Sequence, residues 1–419
     1  MPMDPRPRTP AGDSHQPPEP PTPALGRRQH AGTVRTRWRL VVVSTVIAVA
    51  LVAAAIIVRS ELVPASNTAS HKPGLITGAQ PAPAGSGQPR GSGAGVQPGS
   101  KTSPSQRAGC ELDAQLVPGC GVLWGVAPGQ FTGIPGMAAL HRWEADSGRS
   151  ATIYHAYHRG DEHFPTAAEI AIADEPAHHR LLLMNWKVDW GTTWHNVAAG
   201  GEDGRIDSEA AYLKAHFTEK FLLAIHHEPE NDVIESASSG MTASDYAAMF
   251  RHTVLRLRQD GVNNAVFVLA YMGYEQWCLQ PWFGDLWPGS DVVDWIGYDP
   301  YETARPGAYA YGDFAKLVNG THQPSRWPGF YTWATTTHPG KPLMLAEWGI
   351  FEYTSDPTRK AWIDSTVTTE LPRFPDLKAL VYFDSPNAPK GDTRINSSPL
   401  ALASFRRLAA MPAFNVTVS

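Results

Sequence analysis

The segment LLAIHHEPEND, residues 222–232, joins a short apolar run directly to a cluster of ionisable side chains. An apolar run of this length predicts a buried strand, with the ionisable cluster at its carboxyl end. The segment PLMLAEWGIFE, residues 342–352, repeats this design with a single carboxylate at the end of the run. The two segments therefore predict two buried strands that end in glutamates, Glu228 and Glu347.

Eight such apolar runs occur after about residue 109, and segments with helical spacing lie between them. The runs are CGVLWGVA, ATIYHAY, RLLLMNW, FLLAIHH, AVFVLAY, VVDWIGY, PLMLAEW and ALVYFD. Strands that are apolar on both faces and separated by helices predict a parallel sheet. Eight strand–helix units predict a closed (β/α)8 barrel over residues 109–419, whose functional groups lie at the carboxyl ends of the strands.

The first 108 residues have a different composition from the predicted barrel. Residues 1–39 are rich in proline and carry seven arginines against three acids, so we expect a disordered segment. Residues 40–58 form an uncharged apolar run of 19 residues, close to the length of about 20 residues that spans a bilayer. Residues 59–108 are rich in Pro, Gly and Ser, which predicts a flexible linker.

The charges around the apolar run predict its orientation in the membrane. Arg35, Arg37 and Arg39 precede the run, and only Arg59 follows it closely. Because positive flanks stay on the cytoplasmic side, we expect a single-pass protein with a cytoplasmic amino terminus and an external barrel. Cleavage of the anchor would instead release the barrel by secretion.

The cysteines fit an oxidising compartment. Cys110 and Cys120 bracket the first residues of the predicted barrel and are candidates for a disulfide. Cys278 is left over, and we expect it to be a buried free thiol.

Composition and motifs exclude several classes of function. A formal net charge of -5 without a basic segment in the barrel argues against nucleic-acid binding. The predicted barrel has no glycine-rich phosphate loop after its first strand and no G-x-S-x-G motif, which disfavours a nucleotide cofactor and a serine hydrolase. HHEPE lacks the second histidine of H-E-x-x-H, and His155 with His158 has no evident third ligand. We therefore expect no metal and no cofactor. We also expect the protein to be a monomer.

Two carboxylates at the mouth of one barrel are the groups that cleave a glycosidic bond. One carboxyl group protonates the leaving oxygen, and the other is ionised and attacks the sugar or activates water. Glu230, two positions after Glu228, is an alternative acid. The competing interpretation is a barrel that binds a polysaccharide without cleaving it.

Residues from about 115 to 412 resemble glycoside hydrolase family 26, which contains endo-β-mannanases with some lichenases and β-1,3-xylanases. Most of the retaining (β/α)8 clan has asparagine before the acid/base glutamate, whereas family 26 has histidine, as this chain does at His227. Further similar motifs are LMLAEWG around Glu347, VDWIGYDPY at residues 293–301 and DTRINSSPLALASFR at residues 392–406. The chain departs from the family at Ala224, where mannanases of the family often carry arginine.

The resemblance implies a role for several residues. It implies that Glu347 is the nucleophile and Glu228 the acid/base of a double displacement that retains configuration. Tyr301 matches a tyrosine that hydrogen-bonds the nucleophile, and His227 is expected to hold Glu228 or the sugar. Tyr382 matches a position that often carries a sugar-stacking tryptophan. The implied substrate is a β-linked polysaccharide, first of all a β-1,4-mannan.

Tryptophans near the predicted strand ends are further candidates for the substrate groove. Aromatic faces stack on the apolar faces of pyranose rings, although a tryptophan is more often part of the core. We expect about half of seven tryptophans to line the groove, with Trp186 as the best candidate. The seven are Trp186, Trp190, Trp194, Trp277, Trp282, Trp287 and Trp348.

Overall fold

A computed structural model describes residues 110–176, 178–308, 312–353 and 356–418. The predicted cytoplasmic segment, membrane span and linker, residues 1–39, 40–58 and 59–108, lie outside the described residues. Within the described ranges, no helix combines the length and the apolar character needed to cross a membrane.

Nine strands form one parallel sheet in the described residues. The strands are β1 Leu123–Ala127, β2 Ile153–Arg159, β3 Leu181–Lys187, β4 Phe221–Ile225, β5 Ala265–Tyr271, β6 Trp295–Tyr298, β7 Tyr301–Thr303, β8 Leu343–Phe351 and β9 Leu377–Phe383. β6 pairs with β8 and β9 pairs with β1, so all strands except β7 close into an eight-stranded barrel. The predicted barrel is confirmed, with each predicted run on one barrel strand. The short strand β7, which pairs with the end of β8, was not predicted.

Ten α-helices accompany the strands in the part of the chain that the structure describes. They are α1 Gly136–Ser147, α2 Ala167–Ala173, α3 Trp194–Ala198, α4 Asp203–His216, α5 Ala243–Gln259, α6 Glu275–Cys278, α7 Phe314–Asn319, α8 Phe330–Thr337, α9 Pro357–Glu370 and α10 Pro399–Ala409. Local sequence explains where the longest one begins. Thr242 caps α5 by accepting a hydrogen bond from the Asp245 backbone, and the Asp245 side chain accepts from the Thr242 backbone in return.

The core consists of two apolar layers. Inward-facing strand residues such as Leu183, Leu222 and Met344 fill the barrel, and Ala224 is buried among them. A larger layer packs the outer faces of the strands against the helices, as Met184 and Phe250 do. The side chains of both layers are buried, and full burial of each large apolar side chain contributes about 1.5 to 3 kcal/mol. The strand ends therefore rest on a rigid support.

The two termini of the described barrel lie together at its amino-terminal end. Leu116 and Val416 are buried in the same cluster as the barrel interior. Cys110 and Cys120 form the predicted disulfide in this region, and Cys278 is a buried free thiol, as predicted.

Candidate active site

A cleft of about 660 Å³ lies at the carboxyl ends of the strands, and both Glu228 and Glu347 line it. Its walls come from residues in or beyond β1, β2, β4, β5, β8 and β9 and from β7, so distant parts of the sequence meet here. Most of the wall is apolar or aromatic. The aromatic members are Phe131, Tyr157, Tyr274, Trp277, Tyr301, Phe351 and Phe383.

Glu347 is fixed by hydrogen bonds to both of its carboxylate oxygens. It lies within β8 and is 7% exposed. The Tyr157 hydroxyl donates to Oε1 at 2.7 Å, and the Tyr301 hydroxyl donates to Oε2 at 2.7 Å. Burial raises the pKa of Glu347, and the two hydroxyl donors oppose that rise because they stabilise the ionised form. The carboxylate is thus held in one orientation.

Glu228 lies three residues beyond the end of β4 and has a different environment. Its backbone has a left-handed φ of 54°, which is unusual for a residue other than glycine. Its backbone N–H donates to the Ala270 carbonyl at 2.9 Å, and Asn231 Nδ2 donates to Oε2 at 3.3 Å. Burial, followed by the negative charge of Glu347, raises the pKa of Glu228 to about 8. Glu228 therefore keeps its proton at neutral pH.

His226, the first of the two adjacent histidines, holds the loop that carries Glu228. Its side chain is buried, with Nδ1 2.6 Å from Asp189 Oδ1 and Nε2 3.0 Å from Asp232 Oδ2. Burial opposes protonation, but the hydrogen bonds to Asp189 and Asp232 raise the pKa of His226. The contacts of the His226 ring with two aspartates hold this loop in place. His226 is therefore a positioning residue.

His227, the second histidine, lines the cleft. Its Nε2 lies 4.0 Å from Glu347 Oε1, and its side chain is 30% exposed. Burial, with the nearby His155 and His226, lowers the pKa of His227 to about 3, so the ring is neutral. The described contacts include no hydrogen bond between His227 and Glu228, and the structure places His227 beside Glu347 instead.

Two residues beside Glu347 were not predicted. Tyr157, near the end of β2, donates to Glu347, and Asp299, just after β6, accepts a hydrogen bond from the Glu347 backbone N–H at 2.8 Å. Asp299 Oδ2 has no partner among the described residues. Burial, together with the charges of Glu347 and Glu228, raises the pKa of Asp299 well above its usual value. Asp299 thus holds the backbone of Glu347 from a buried position.

The residues of the cleft offer no metal site. Within the described ranges, no group of three or more His, Cys, Asp or Glu side chains is arranged to hold an ion. His158 contacts Glu169, with its Nε2 3.1 Å from Oε1, and His155 is buried.

One curated relative is similar to most of this chain. Endoglucanase H from Acetivibrio thermocellus is 24% identical in an alignment of 300 residues that covers 68% of this chain and 30% of that protein. The chain thus spans less than a third of that relative. No family profile matches the sequence.

Solved structures of known enzymes are similar as well. The catalytic domain of the GH26 endo-β-1,4-mannanase from Bacillus sp. JAMB-750 is 13% identical, with a TM-score of 0.49 over 70% of this chain and 86% of that one. A ruminal GH26 endo-β-1,4-mannanase is 14% identical, with a TM-score of 0.48 over 71% and 64% of the two chains. The chain resembles glycoside hydrolase family 26.

The structure separates Glu230 from Glu228. Glu230 is 1% exposed and accepts hydrogen bonds from the backbone N–H groups of Met272 at 2.9 Å and Gly273 at 3.1 Å. Burial raises the pKa of Glu230 to about 7. Its side chain does not line the cleft. Its contacts therefore indicate that Glu230 supports the loop after β5 and does not act as the catalytic acid.

The prediction for Trp186 is wrong. Its side chain is 1% exposed and lies in the layer between strands and helices, where it packs on Phe164 and donates through Nε1 to the Gly160 carbonyl at 3.0 Å. A ring enclosed on all sides has no face left for a sugar. Only Trp277 of the seven candidate tryptophans lines the cleft, whereas about half were expected to.

The prediction for Tyr382 is also wrong. The Tyr382 side chain is fully buried. Its hydroxyl donates to the Thr393 carbonyl at 2.6 Å and accepts from Lys360 Nζ at 2.7 Å. The next residue, Phe383, lines the cleft instead. Successive side chains of a strand point to opposite faces, so a displacement of one residue moves a side chain from the cleft to the core.

Proposed function

We propose that the barrel is a retaining glycoside hydrolase of the family 26 type that cleaves a β-linked polysaccharide by double displacement. The observation that carries the proposal is the unequal environment of two carboxyl groups in one cleft. Glu347 receives two tyrosine hydroxyls, which favour its ionised form. Glu228 receives one amide donor and has a pKa of about 8. One group is thus suited to attack and the other to donate a proton.

In the first step, a Glu347 oxygen attacks the anomeric carbon of the sugar. The bond from that carbon to the glycosidic oxygen breaks, and the departing oxygen takes the proton of Glu228. Tyr157 and Tyr301 keep the attacking carboxylate aligned. The products of this step are a glycosyl ester on Glu347 and a free leaving group.

In the second step, Glu228 acts as a base. Formation of the ester removes the negative charge of Glu347, which is one of the causes of the raised pKa of Glu228. That pKa then falls, and the Glu228 carboxylate accepts a proton from the water that attacks the anomeric carbon. The ester bond breaks, Glu347 is again a carboxylate, and two inversions leave the configuration retained.

The resemblance and the cleft support a β-1,4-mannan as the first substrate to test. The aromatic lining suits pyranose rings, which stack on such faces. Lichenase and β-1,3-xylanase activities occur in the same family, and Ala224 departs from the arginine of many family mannanases. The name of Endoglucanase H adds a reason to include a β-glucan.

The test is an assay of the full chain on β-mannan, mixed-linkage β-glucan and β-1,3-xylan. We expect new reducing ends from at least one polymer, and proton NMR should detect the β-anomer of the product first. An initial α-anomer would contradict the nucleophile assignment. A chain that binds one of these polymers but releases no product from any of them would support the non-cleaving barrel.

We also propose that the barrel lies outside the cytoplasm and is anchored by residues 40–58. The uncharged run and the arginines before it support this orientation. Protease added to intact cells should remove the barrel and leave a short membrane-held fragment. A barrel that is protected until the membrane is broken would contradict this orientation, and a barrel found in the medium would identify a cleaved signal.

A further inference from the structure

A single lysine, Lys390, lines the described cleft. Lys390 lies in the loop that follows β9, and its Nζ is 5.0 Å from the centroid of the Tyr274 ring. Tyr274 comes from the loop after β5, and both residues line the cleft. A cation over an aromatic face is attracted by the ring quadrupole, so this contact places the ammonium group over the cleft.

Lys390 is the one side chain of the described cleft lining that carries a positive charge. The pKa of His227 is about 3, so that ring is neutral. The other polar lining residues are either uncharged, such as Gln130 and Gln276, or are the two catalytic glutamates. Within the described part of the chain, Lys390 forms no ion pair, and its ammonium group contacts the Tyr274 ring. Its N–H donors are thus available to a ligand.

The positive charge of Lys390 acts on Glu228. It is among the causes that lower the pKa of Glu228, whereas the pKa of Glu347 reflects burial and its two tyrosine donors. After burial, the charge of Glu228 is the next cause that raises the pKa of Tyr274, the ring that Lys390 contacts. In the proposed reaction Glu228 protonates the leaving oxygen, so the part of the cleft around Glu228 receives the leaving sugar.

We propose that Lys390 binds a carboxylate on the leaving sugar, and that the substrate is therefore an acidic β-linked polysaccharide that carries uronate residues. This inference rests on the proposed function. A neutral glycan would meet Lys390 only with hydroxyl groups, whereas a carboxylate forms the shorter and stronger charge-assisted hydrogen bond. The chain has a formal net charge of -5, so the lysine also offsets the repulsion of a polyanion.

The test uses two polymers that differ only in their carboxylates. Partial carboxyl reduction of β-1,4-polymannuronate gives a mannan that still carries some uronates, and complete reduction gives neutral β-1,4-mannan with the same linkage. We expect kcat/KM to be about three- to tenfold higher on the partly reduced polymer than on the neutral mannan. A gain of this size is what a solvent-accessible charged contact provides. The preference should weaken as salt is added, because ions screen exposed charges.

Product analysis locates the carboxylate. Mass spectrometry of the leaving fragments should find mannuronate at the new non-reducing end more often than random cleavage predicts. This position identifies the sugar that was next to Glu228 when the bond broke.

Three variants separate the contact from other effects. Lys390→Gln should lose the preference for the acidic polymer and the bias in product ends, and Lys390→Arg should keep both. Lys378→Gln is the matched control, because Lys378 lies at the amino-terminal end of β9, away from the cleft. It should behave like the unchanged chain.

The outcomes distinguish this inference from the proposed function. Cleavage of both polymers at equal rates overturns the inference and leaves the glycosidase proposal standing. A Lys390→Gln chain that only shifts the pH profile, equally on both polymers, also overturns it, because Lys390 would then act on Glu228 alone. If no polymer, neutral or acidic, is cleaved by the chain, the proposed function itself is wrong and the inference falls with it.

Discussion

Glu228 and Glu347 line the same cleft, yet the protein surrounds them differently. Glu347 belongs to strand β8 and receives a hydroxyl donor on each oxygen. Glu228 belongs to a loop with left-handed backbone angles and receives one amide donor at 3.3 Å. Two identical side chains in one cleft thus meet different donors, so the causes that shift their pKa values differ.

The supports of the two glutamates also differ. Tyr157, Tyr301 and Asp299 contact Glu347 from three different strands or strand ends, so the barrel itself fixes this carboxylate. The loop of Glu228 depends on one buried histidine, His226, between two aspartates.

Replacement of Glu347 should abolish both steps of the reaction. We expect Glu347→Ala to lower kcat on the order of 10⁴-fold or more, the size of loss seen when a nucleophile is removed. The loss should be equal for polysaccharides and for activated aryl glycosides, since both need the ester. Steady-state kinetics on both kinds of substrate provide the measurement. Appreciable turnover of either substrate by this variant would exclude Glu347 as the nucleophile.

Replacement of Glu228 should separate the two kinds of substrate. Glu228→Ala should lower kcat on polysaccharide by about 10² to 10⁴, the usual contribution of a general acid. An aryl glycoside with a good leaving group needs no proton, so its first step should survive and appear as a burst of released phenol. Rapid-mixing kinetics would detect the burst. Equal losses on both substrates would show that the roles were assigned wrongly.

Removal of one tyrosine donor should have an intermediate effect. Tyr301→Phe takes a hydroxyl donor from Glu347, so the ionised form is less stable and the pKa of Glu347 rises further. Because attack requires ionised Glu347, the low-pH limb of kcat/KM should move to higher pH, and kcat should fall about 10- to 100-fold. The high-pH limb, which reports loss of the proton from Glu228, should remain near 8.

The control for that experiment is Tyr298→Phe. The Tyr298 hydroxyl donates to the Val318 carbonyl, so its removal deletes a buried hydroxyl elsewhere in the barrel. This variant should keep the low-pH limb of the unchanged chain. A limb that moves in both variants would indicate a general loss of stability rather than a specific role for Tyr301.

The smallest effect on activity is expected at Tyr382. Tyr382→Phe leaves Lys360 Nζ and the Thr393 carbonyl without their hydroxyl partner, and should lower the free energy of unfolding by about 1 to 3 kcal/mol. Because the ring lies outside the cleft, kcat/KM should stay near its original value. Denaturant unfolding and steady-state kinetics measure the two quantities. A raised KM with unchanged stability would restore the sugar-stacking interpretation.

Most of the fold was predictable because each barrel strand is a continuous apolar run in the sequence. Strands that are buried on both faces are apolar at nearly every position, so their positions are easily located. All eight barrel strands lie close to their predicted positions. Helix α5 was predictable from its spacing and from the Thr242 cap. The strand β7 was not, because its sequence Tyr-Glu-Thr has no apolar run and it pairs only with the end of β8.

The site was predictable where a residue type is tied to a strand end. Glu228, Glu347 and Tyr301 were named from the sequence, and the structure brings all three to one cleft. Tyr157 was overlooked although it lies near the end of β2, since one tyrosine in a strand carries no distinctive pattern. Asp299 was overlooked because a carboxyl group in a tight turn is usually exposed, whereas this one is buried.

The order of the eight barrel strands and the identity of the two glutamates follow from the amino-acid sequence. These depend on short-range patterns, such as apolar runs and a carboxylate at the end of a strand. Which face of each strand meets the cleft depends on the closed barrel. That choice placed Trp186 and Tyr382 in the core and Phe383 in the cleft wall. The physical reason is that side chains alternate at every residue of a strand, while closure of the barrel sets the register.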